Sequence, residues 1–284
     1  MGNIELVSAV ETFARSVKNL PDTVLEHENW HWRAYEGVRY AFLQTYLELR
    51  TLAVTTAVRR TADGPAITPA QRILAQYQIA YRALLGVFSG VENEELDRTP
   101  ANGEWPLRRV LGHIIDVEKA FYMQIHYALD QQRHADDRSL KKMSEAAEAQ
   151  YHLQRGESDH GTMEEILARY EEFHKQILDH FTNICEEDLH ALSLWWENEK
   201  MEIRFRLHRF DAHLREHTIQ VEKVLVGIGH PSTEIARLIQ MIYEALGEVE
   251  GALIGSWECN SEQIHESAVT IRKRACEMAD LPRD

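Results

Sequence analysis

Two histidines, His213 and His217, lie four residues apart in a stretch with the pattern of an amphipathic helix, residues 207–228. At about 100° per residue, the apolar residues of this stretch share one arc, and both histidines lie on or beside that arc. The spacing places the two imidazole rings one above the other, where they suit a single metal ion. A pair of core histidines bonded to buried polar groups explains the same pattern, so both interpretations stay open.

A third histidine, His113, lies at the edge of the apolar face of another predicted helix, residues 105–129. Pro106 is well suited to the first turn of that helix. Three imidazoles that converge from two helices and leave a fourth position open are typical of a catalytic rather than a structural zinc site. Three histidines suit zinc, nickel, iron and copper alike, so the residue types do not select the metal.

Another pair, His27 and His31, stands in the sequence HENWH and matches the H-E-x-x-H motif of zinc proteases. Such a protease needs a third ligand further along the chain and a fold that contains strands, and the sequence indicates neither. We therefore predict that this segment begins a helix and is packed by Trp30 and Trp32. A zinc protease at HENWH remains the least favoured functional alternative.

The spacing of apolar residues predicts an all-α protein with about eight helices, because strand-like alternation bounded by turns is not found. Segment 62–71 is rich in glycine and proline and predicts a linker. Residues 131–159 are polar and predict a long loop. Thr162 and Glu165 form a capping-box pattern that begins a helix. The predicted helices cover residues 3–19, 30–61, 73–88, 105–129, 162–183, 207–228, 232–254 and 260–278.

The composition limits the partners of the protein. A net charge of −15 would repel a nucleic-acid backbone and an anionic membrane surface, and only short basic spots oppose it. No apolar run has the length of a membrane span, and no signal peptide is visible. The three cysteines are scattered and odd in number, which fits neither a disulfide framework nor a cysteine-rich zinc site. We therefore expect a cytoplasmic protein that acts on a small molecule and has no nucleic-acid or membrane partner.

The order of the histidine-bearing helices resembles a known family. A helix that begins EWPLRRVLGHIIDVE, then a further helix, then HRFDAHLREHTIQVEK, together resemble the DinB/YfiT-like superfamily of four-helix bundles over residues 68–228. The resemblance implies a divalent metal, most often zinc or nickel, held by His113, His213 and His217. It also implies chemistry with a low-molecular-weight thiol such as mycothiol or bacillithiol.

The resemblance leads to a predicted domain organisation of three parts. These are an N-terminal helical extension, a DinB-like four-helix bundle with the metal site, and a C-terminal helical extension, at residues 1–65, 66–228 and 229–284. The extensions could cap the bundle, cover the metal pocket or form the interface of a homodimer. The sequence does not choose among these roles.

We expect a metal-dependent enzyme, either an S-transferase that uses a low-molecular-weight thiol or a hydrolase. A non-catalytic, stress-related metal-binding protein is the main alternative, and no catalytic side chain is assigned. Gln124 and Gln220 lie within about 20° of a ligand histidine on their helices and are expected to line the pocket. Four nearby acids could orient the ligand histidines or carry protons, although most of them are expected to be solvated: Asp116, Glu118, Asp211 and Glu216.

Overall fold

The computed structural model describes residues 2–281 except 28–30, 33–34, 65, 102, 135–139, 141, 147, 150–157 and 231. The fold is all-α, as predicted. Nine α-helices are defined over their full length in this part of the chain: α1 (Gly2–Val17), α2 (Arg39–Asp63), α3 (Pro69–Phe88), α4 (Leu107–His134), α5 (Met163–Phe181), α6 (Glu186–His190), α7 (Ile203–Gly227), α8 (Glu234–Leu253) and α9 (Ser261–Ala279). None of these nine is long and apolar enough to cross a bilayer.

Local sequence signals explain where two of the helices begin. The hydroxyl of Thr162 accepts the backbone N–H of Glu165, and the carboxylate of Glu165 accepts the backbone N–H of Thr162 at 2.8 Å. This reciprocal pair is the predicted capping box, and α5 begins directly after it. The side chain of Thr233 caps α8 in the same way, by accepting the N–H of Ala236.

The all-α fold also contains two short hairpins that the sequence analysis did not predict. Strands β1 (His31–Trp32) and β2 (Tyr35–Glu36) pair antiparallel, and β3 (Leu192–Leu194) pairs antiparallel with β4 (Lys200–Glu202). Strands of two or three residues are too short to show alternation between apolar and polar positions.

The hairpin of β1 and β2 also shortens a predicted helix. The segment 30–61 was expected to be helical throughout, but α2 begins only at Arg39. Helix α4 is longer than predicted, since it continues to His134, five residues beyond its predicted end. Most of the predicted loop 131–159 lies outside the described residues.

The chain divides into two compact units. The first unit comprises Met1–Ile67, Gln78–Val91 and Gly229–Asp284, and the second comprises Thr68–Tyr77 and Glu92–Ile228. The four-helix bundle and the three-part domain organisation stay predictions.

The first unit has its own hydrophobic core, in which α1 packs against α9 and α2 packs against α8. Within it, α3 and α8 approach closely at Gly247, where an added Cβ would lie 2.8 Å from the Cα of Ile79. Next to this crossing, the buried Arg82 donates two hydrogen bonds to the buried carboxylate of Glu250, at 2.6 and 2.7 Å. Both charges are therefore paired inside the core.

The second unit is organised by the packing of α4 against α7. The two helices run antiparallel, because Gly227 at the end of α7 lies beside Pro100, just before α4, and Lys223 pairs with Glu104. The hairpin of β3 and β4 precedes α7 and lies at the opposite end of α4. This arrangement places the second turn of α4 beside the middle turns of α7, which is where the histidines occur.

Candidate metal centre

His213 and His217 are positioned by the amphipathic pattern of α7. Residues Leu207, Phe210 and Leu214 of this helix are buried, and they set the face that packs into the second unit. His217 lies on the same face and is 9% exposed. Because His213 precedes it by four residues, the two rings lie one turn apart, with centroids 4.3 Å from each other.

The third histidine, His113, comes from the second turn of α4 and meets the pair on α7. Its ring centroid lies 5.6 Å from that of His213 and 4.8 Å from that of His217. Each of the three rings offers one nitrogen to a group whose ligand atoms all lie within 4.8 Å of one another. The structure thus brings together the three histidines that the sequence singled out, from two different helices.

His213 is the member of the group whose ring nitrogens are least satisfied by the protein. Both of its ring nitrogens are buried, and among the described residues neither has a hydrogen-bond partner. Burial lowers the pKa of His213 to about 3, and the nearby charges of His217, His113 and Arg209 add to this effect. At neutral pH its imidazole is therefore uncharged, which is the form that coordinates a metal.

His217 is oriented by a neighbour on the same helix. Its Nδ1 lies 2.7 Å from the side-chain oxygen of Gln220, and a carbonyl oxygen can only accept, so Nδ1–H donates this hydrogen bond. The other nitrogen, Nε2, then carries the lone pair that a metal requires. Gln220 was expected to line the pocket, and it is the partner that fixes the tautomer of His217.

Aromatic rings form walls beside the cluster, and the sequence analysis did not assign them to the site. The ring of Trp105 meets His113 edge-on at 5.4 Å, and Phe121 meets His213 edge-on at 5.4 Å. Trp105 directly precedes Pro106, and Phe121 lies two turns after His113 on α4. Both rings therefore present apolar surface to the sides of the cluster.

Of the four acids considered near the ligands, Glu118 departs most from expectation. It is completely buried, although it was expected to be solvated. Its Oε2 accepts hydrogen bonds from the hydroxyl of Tyr77 at 2.6 Å and from that of Tyr170 at 3.0 Å. Burial raises the pKa of Glu118 to about 8, against the opposing effect of the two tyrosine hydrogen bonds. Glu118 is therefore a protonated core residue at neutral pH.

The other three acids have ordinary surroundings. Asp116 accepts a hydrogen bond from the hydroxyl of Ser158 at 2.7 Å, and Asp211 pairs with Arg215 at 2.8 Å on α7. Glu216 is exposed. None of the three belongs to the group of ligand atoms found in the described residues.

The second histidine pair does not have the helical geometry of a zinc protease. In proteases of that type, both histidines of H-E-x-x-H project from one helix. Here His27 follows a 3₁₀-helix (Asp22–Glu26), and His31 begins strand β1. The predicted helix start at this segment is therefore wrong, and the contacts predicted for Trp30 lie outside the described residues.

Comparison with known proteins gives one match. A family model described as the DinB superfamily matches residues 76–221, slightly more than half of the chain and a segment that contains all three histidines. No significant match was found among curated proteins or among solved structures.

Proposed function

Because the chain belongs to the DinB superfamily, we propose that it is a divalent-metal-dependent enzyme that acts on a small molecule. The proposed metal ligands are His113, His213 and His217. The observation that carries the proposal is His213, whose two buried nitrogens have no hydrogen-bond partner among the described residues. A neutral imidazole has one donor and one acceptor, and leaving both unmet in a buried position is costly unless a ligand satisfies one of them.

The composition of the cluster supports an enzyme more than a purely structural site. In the described residues the cluster consists of three histidines, with no aspartate, glutamate or cysteine among its ligand atoms. Structural zinc sites usually have four protein ligands, whereas catalytic sites usually have three and keep one position for water or substrate. Zinc and nickel are the metals that we propose, since both accept imidazole nitrogen.

Thiol transfer is the reaction that we propose, with hydrolysis as its close variant. A divalent metal bound by the three histidines would stabilise a thiolate or a hydroxide at neutral pH. The protein would contribute the fixed tautomer of His217 through Gln220 and the apolar walls formed by Trp105 and Phe121. The three cysteines of the chain are not members of the cluster, so the thiol would be a separate low-molecular-weight molecule.

Elemental analysis tests the metal assignment. The wild-type protein should contain about one equivalent of zinc or nickel after purification without chelator, and His213→Ala should contain almost none. His208→Ala is the matched control, because it removes a histidine of the same helix that is not part of the cluster. Equal metal content in wild type and His213→Ala would refute the ligand assignment.

A thiol-consumption assay tests the reaction. Metal-loaded protein is mixed with bacillithiol, mycothiol or glutathione and a panel of small electrophiles, and free thiol is followed over time. Consumption that depends on the protein and vanishes in His217→Ala would support the transferase. Full metal content with no thiol consumption and no hydrolysis would leave the alternative of a non-catalytic metal-binding protein.

A further inference from the structure

Two arginines occupy equivalent places beside the histidine cluster. Arg109 precedes His113 by four residues on α4, and Arg209 precedes His213 by four residues on α7. In a helix this spacing places each arginine one turn before a proposed ligand, on the same side of the helix. Because α4 and α7 run antiparallel, the two arginines flank the cluster from opposite directions along the helix axes.

Each arginine is held against an aromatic ring that also contacts a histidine of the cluster. The guanidinium of Arg109 lies over the ring of Trp105 at 4.1 Å, and Trp105 contacts His113. The guanidinium of Arg209 lies over the ring of Phe121 at 5.2 Å, and Phe121 contacts His213. Stacking on a ring orients a guanidinium while its N–H groups stay available in the plane.

The charges of these two arginines are not compensated in the part of the chain that the structure describes. Neither guanidinium group makes an ion pair or a hydrogen bond there, and both residues are exposed. Other arginines near the same elements are paired: Arg108 with Asp97 and Arg215 with Asp211. In a protein with a net charge of −15, two unpaired cations beside one cluster form a local positive region.

We propose that the small molecule which binds at the three histidines is a carboxylate, and that Arg209 and Arg109 bind its negatively charged groups. The inference rests on the proposed function, because it assumes that the cluster is a small-molecule site. A carboxylate matches the flat fork of one guanidinium through two parallel hydrogen bonds. Phosphate sites more often add helix N-termini or loops of backbone amides to the arginine, so a carboxylate is the better match to two separate, stacked guanidinium groups.

Calorimetric binding of a charged and an uncharged probe tests the inference. Glutarate and its diamide, glutaramide, are titrated into metal-loaded wild type, Arg209→Gln and Arg109→Gln. Glutarate should bind the wild type, and each variant should lose about tenfold in glutarate affinity, as expected when one charge-assisted pair is removed. Glutaramide affinity should be equal in all three proteins, since an amide gains little from the guanidinium charge.

The control variant is Arg215→Gln, which removes an arginine of the same helix that is paired with Asp211. Arg215→Gln should bind glutarate as the wild type does. Equal affinity would exclude the explanation that any loss of positive charge on α7 weakens glutarate binding. Metal content is measured for every variant and should be unchanged. The bound metal by itself favours glutarate over glutaramide. The deciding comparison is therefore between the glutarate affinities of the wild type and the variants, and not between the two probes.

The two ways of failing are distinct. If the purified wild-type protein does not contain stoichiometric metal, the proposed function itself is refuted. Full metal content with equal glutarate affinity in wild type, Arg209→Gln and Arg109→Gln would overturn the inference about the arginines and leave the metal proposal standing. Failure of glutarate to bind the metal-loaded wild type would overturn the inference as well.

Discussion

Replacing Glu118 by glutamine should change how the stability of the protein depends on pH. Glu118 is completely buried on α4, and its Oε2 accepts hydrogen bonds from Tyr77 and Tyr170. Burial raises the pKa of this carboxyl group to about 8, because the charged form would lose its hydration. Glutamine has nearly the same shape and stays uncharged at every pH, so Glu118→Gln removes the titration with little change in volume.

The sign of the effect follows from which state holds the proton. The unfolded chain releases the proton of Glu118 near the ordinary pKa of 4.5, whereas the folded protein keeps it to about pH 8. The stabilisation by the protonated carboxyl group is therefore complete below pH 4.5 and is lost as the pH rises to 8. The slope is about 1.4 kcal/mol per pH unit, so the wild type should lose roughly 2 kcal/mol between pH 6.5 and 8.

Urea denaturation at pH 6.5, 7, 7.5, 8 and 9 measures this loss. The window begins at 6.5 because His213, whose pKa is lowered to about 3 in the folded protein, adds a slope of the opposite sign mainly below that pH. The wild type should lose stability across the window and level off above pH 8, whereas Glu118→Gln should stay nearly flat. Glu172→Gln, which replaces an exposed glutamate of α5, should follow the wild type. Parallel curves for wild type and Glu118→Gln from pH 6.5 to 9 would refute the assignment.

Three further outcomes are expected. Gly247→Ala should destabilise the protein by about 1–3 kcal/mol in urea, because its Cβ would meet the backbone of Ile79, whereas Gly90→Ala should be almost neutral because nothing lies within 4 Å. Arg82→Met should cost about 3–5 kcal/mol by leaving the Glu250 carboxylate buried and unpaired, and adding Glu250→Leu should recover most of this loss. Metal removal by chelator should lower the melting temperature without loss of helical circular dichroism, since the apolar cores remain; complete unfolding would contradict this.

The helices were largely predictable because their apolar residues repeat at helical spacing over several turns. The predicted helix 207–228 corresponds to α7, and the Thr162–Glu165 signal correctly marks the start of α5. The two hairpins were not predictable, since strands of two or three residues carry too little pattern. The cytoplasmic location, the lack of nucleic-acid partners and a homodimer stay predictions.

The spacing of the apolar residues on α4 indicates that Glu118 is buried, although its angle from His113 on the helix does not. Leu111, Ile114, Phe121 and Ile125 are buried on α4, and Glu118 occupies the position between Ile114 and Phe121 in this alternating spacing of three and four residues. An acid at such a position is buried whatever its angle from His113. Its two tyrosine partners come from α3 and α5, so no reading of α4 by itself could identify them.

The candidate site was predictable in part, because one of its two helices could be interpreted by itself. The pair on α7 follows from its spacing, but His113 joins it only because α4 packs antiparallel against α7 at the matching height. A single sequence does not fix that register. The helical pattern placed His113 only at the edge of an apolar face, and its prediction as the third ligand also used the resemblance to a family. Trp105 and Phe121 were missed because an aromatic residue on an apolar face usually belongs to a core.

Two buried polar groups on or beside α4 differ in how far the protein alone satisfies them, and this difference supports the proposal that one is a core residue and the other a metal ligand. One proton removes the charge of Glu118, and two tyrosine hydroxyls then satisfy its Oε2, which leaves only Oε1 without a partner. No protonation state does the same for His213. Its neutral ring has an unmet donor and an unmet acceptor, and its protonated ring would have two unmet donors and a buried charge. An external electron-pair acceptor would satisfy the acceptor nitrogen, and the proposed divalent metal is such an acceptor, with the nearby rings of His113 and His217 close enough to share it.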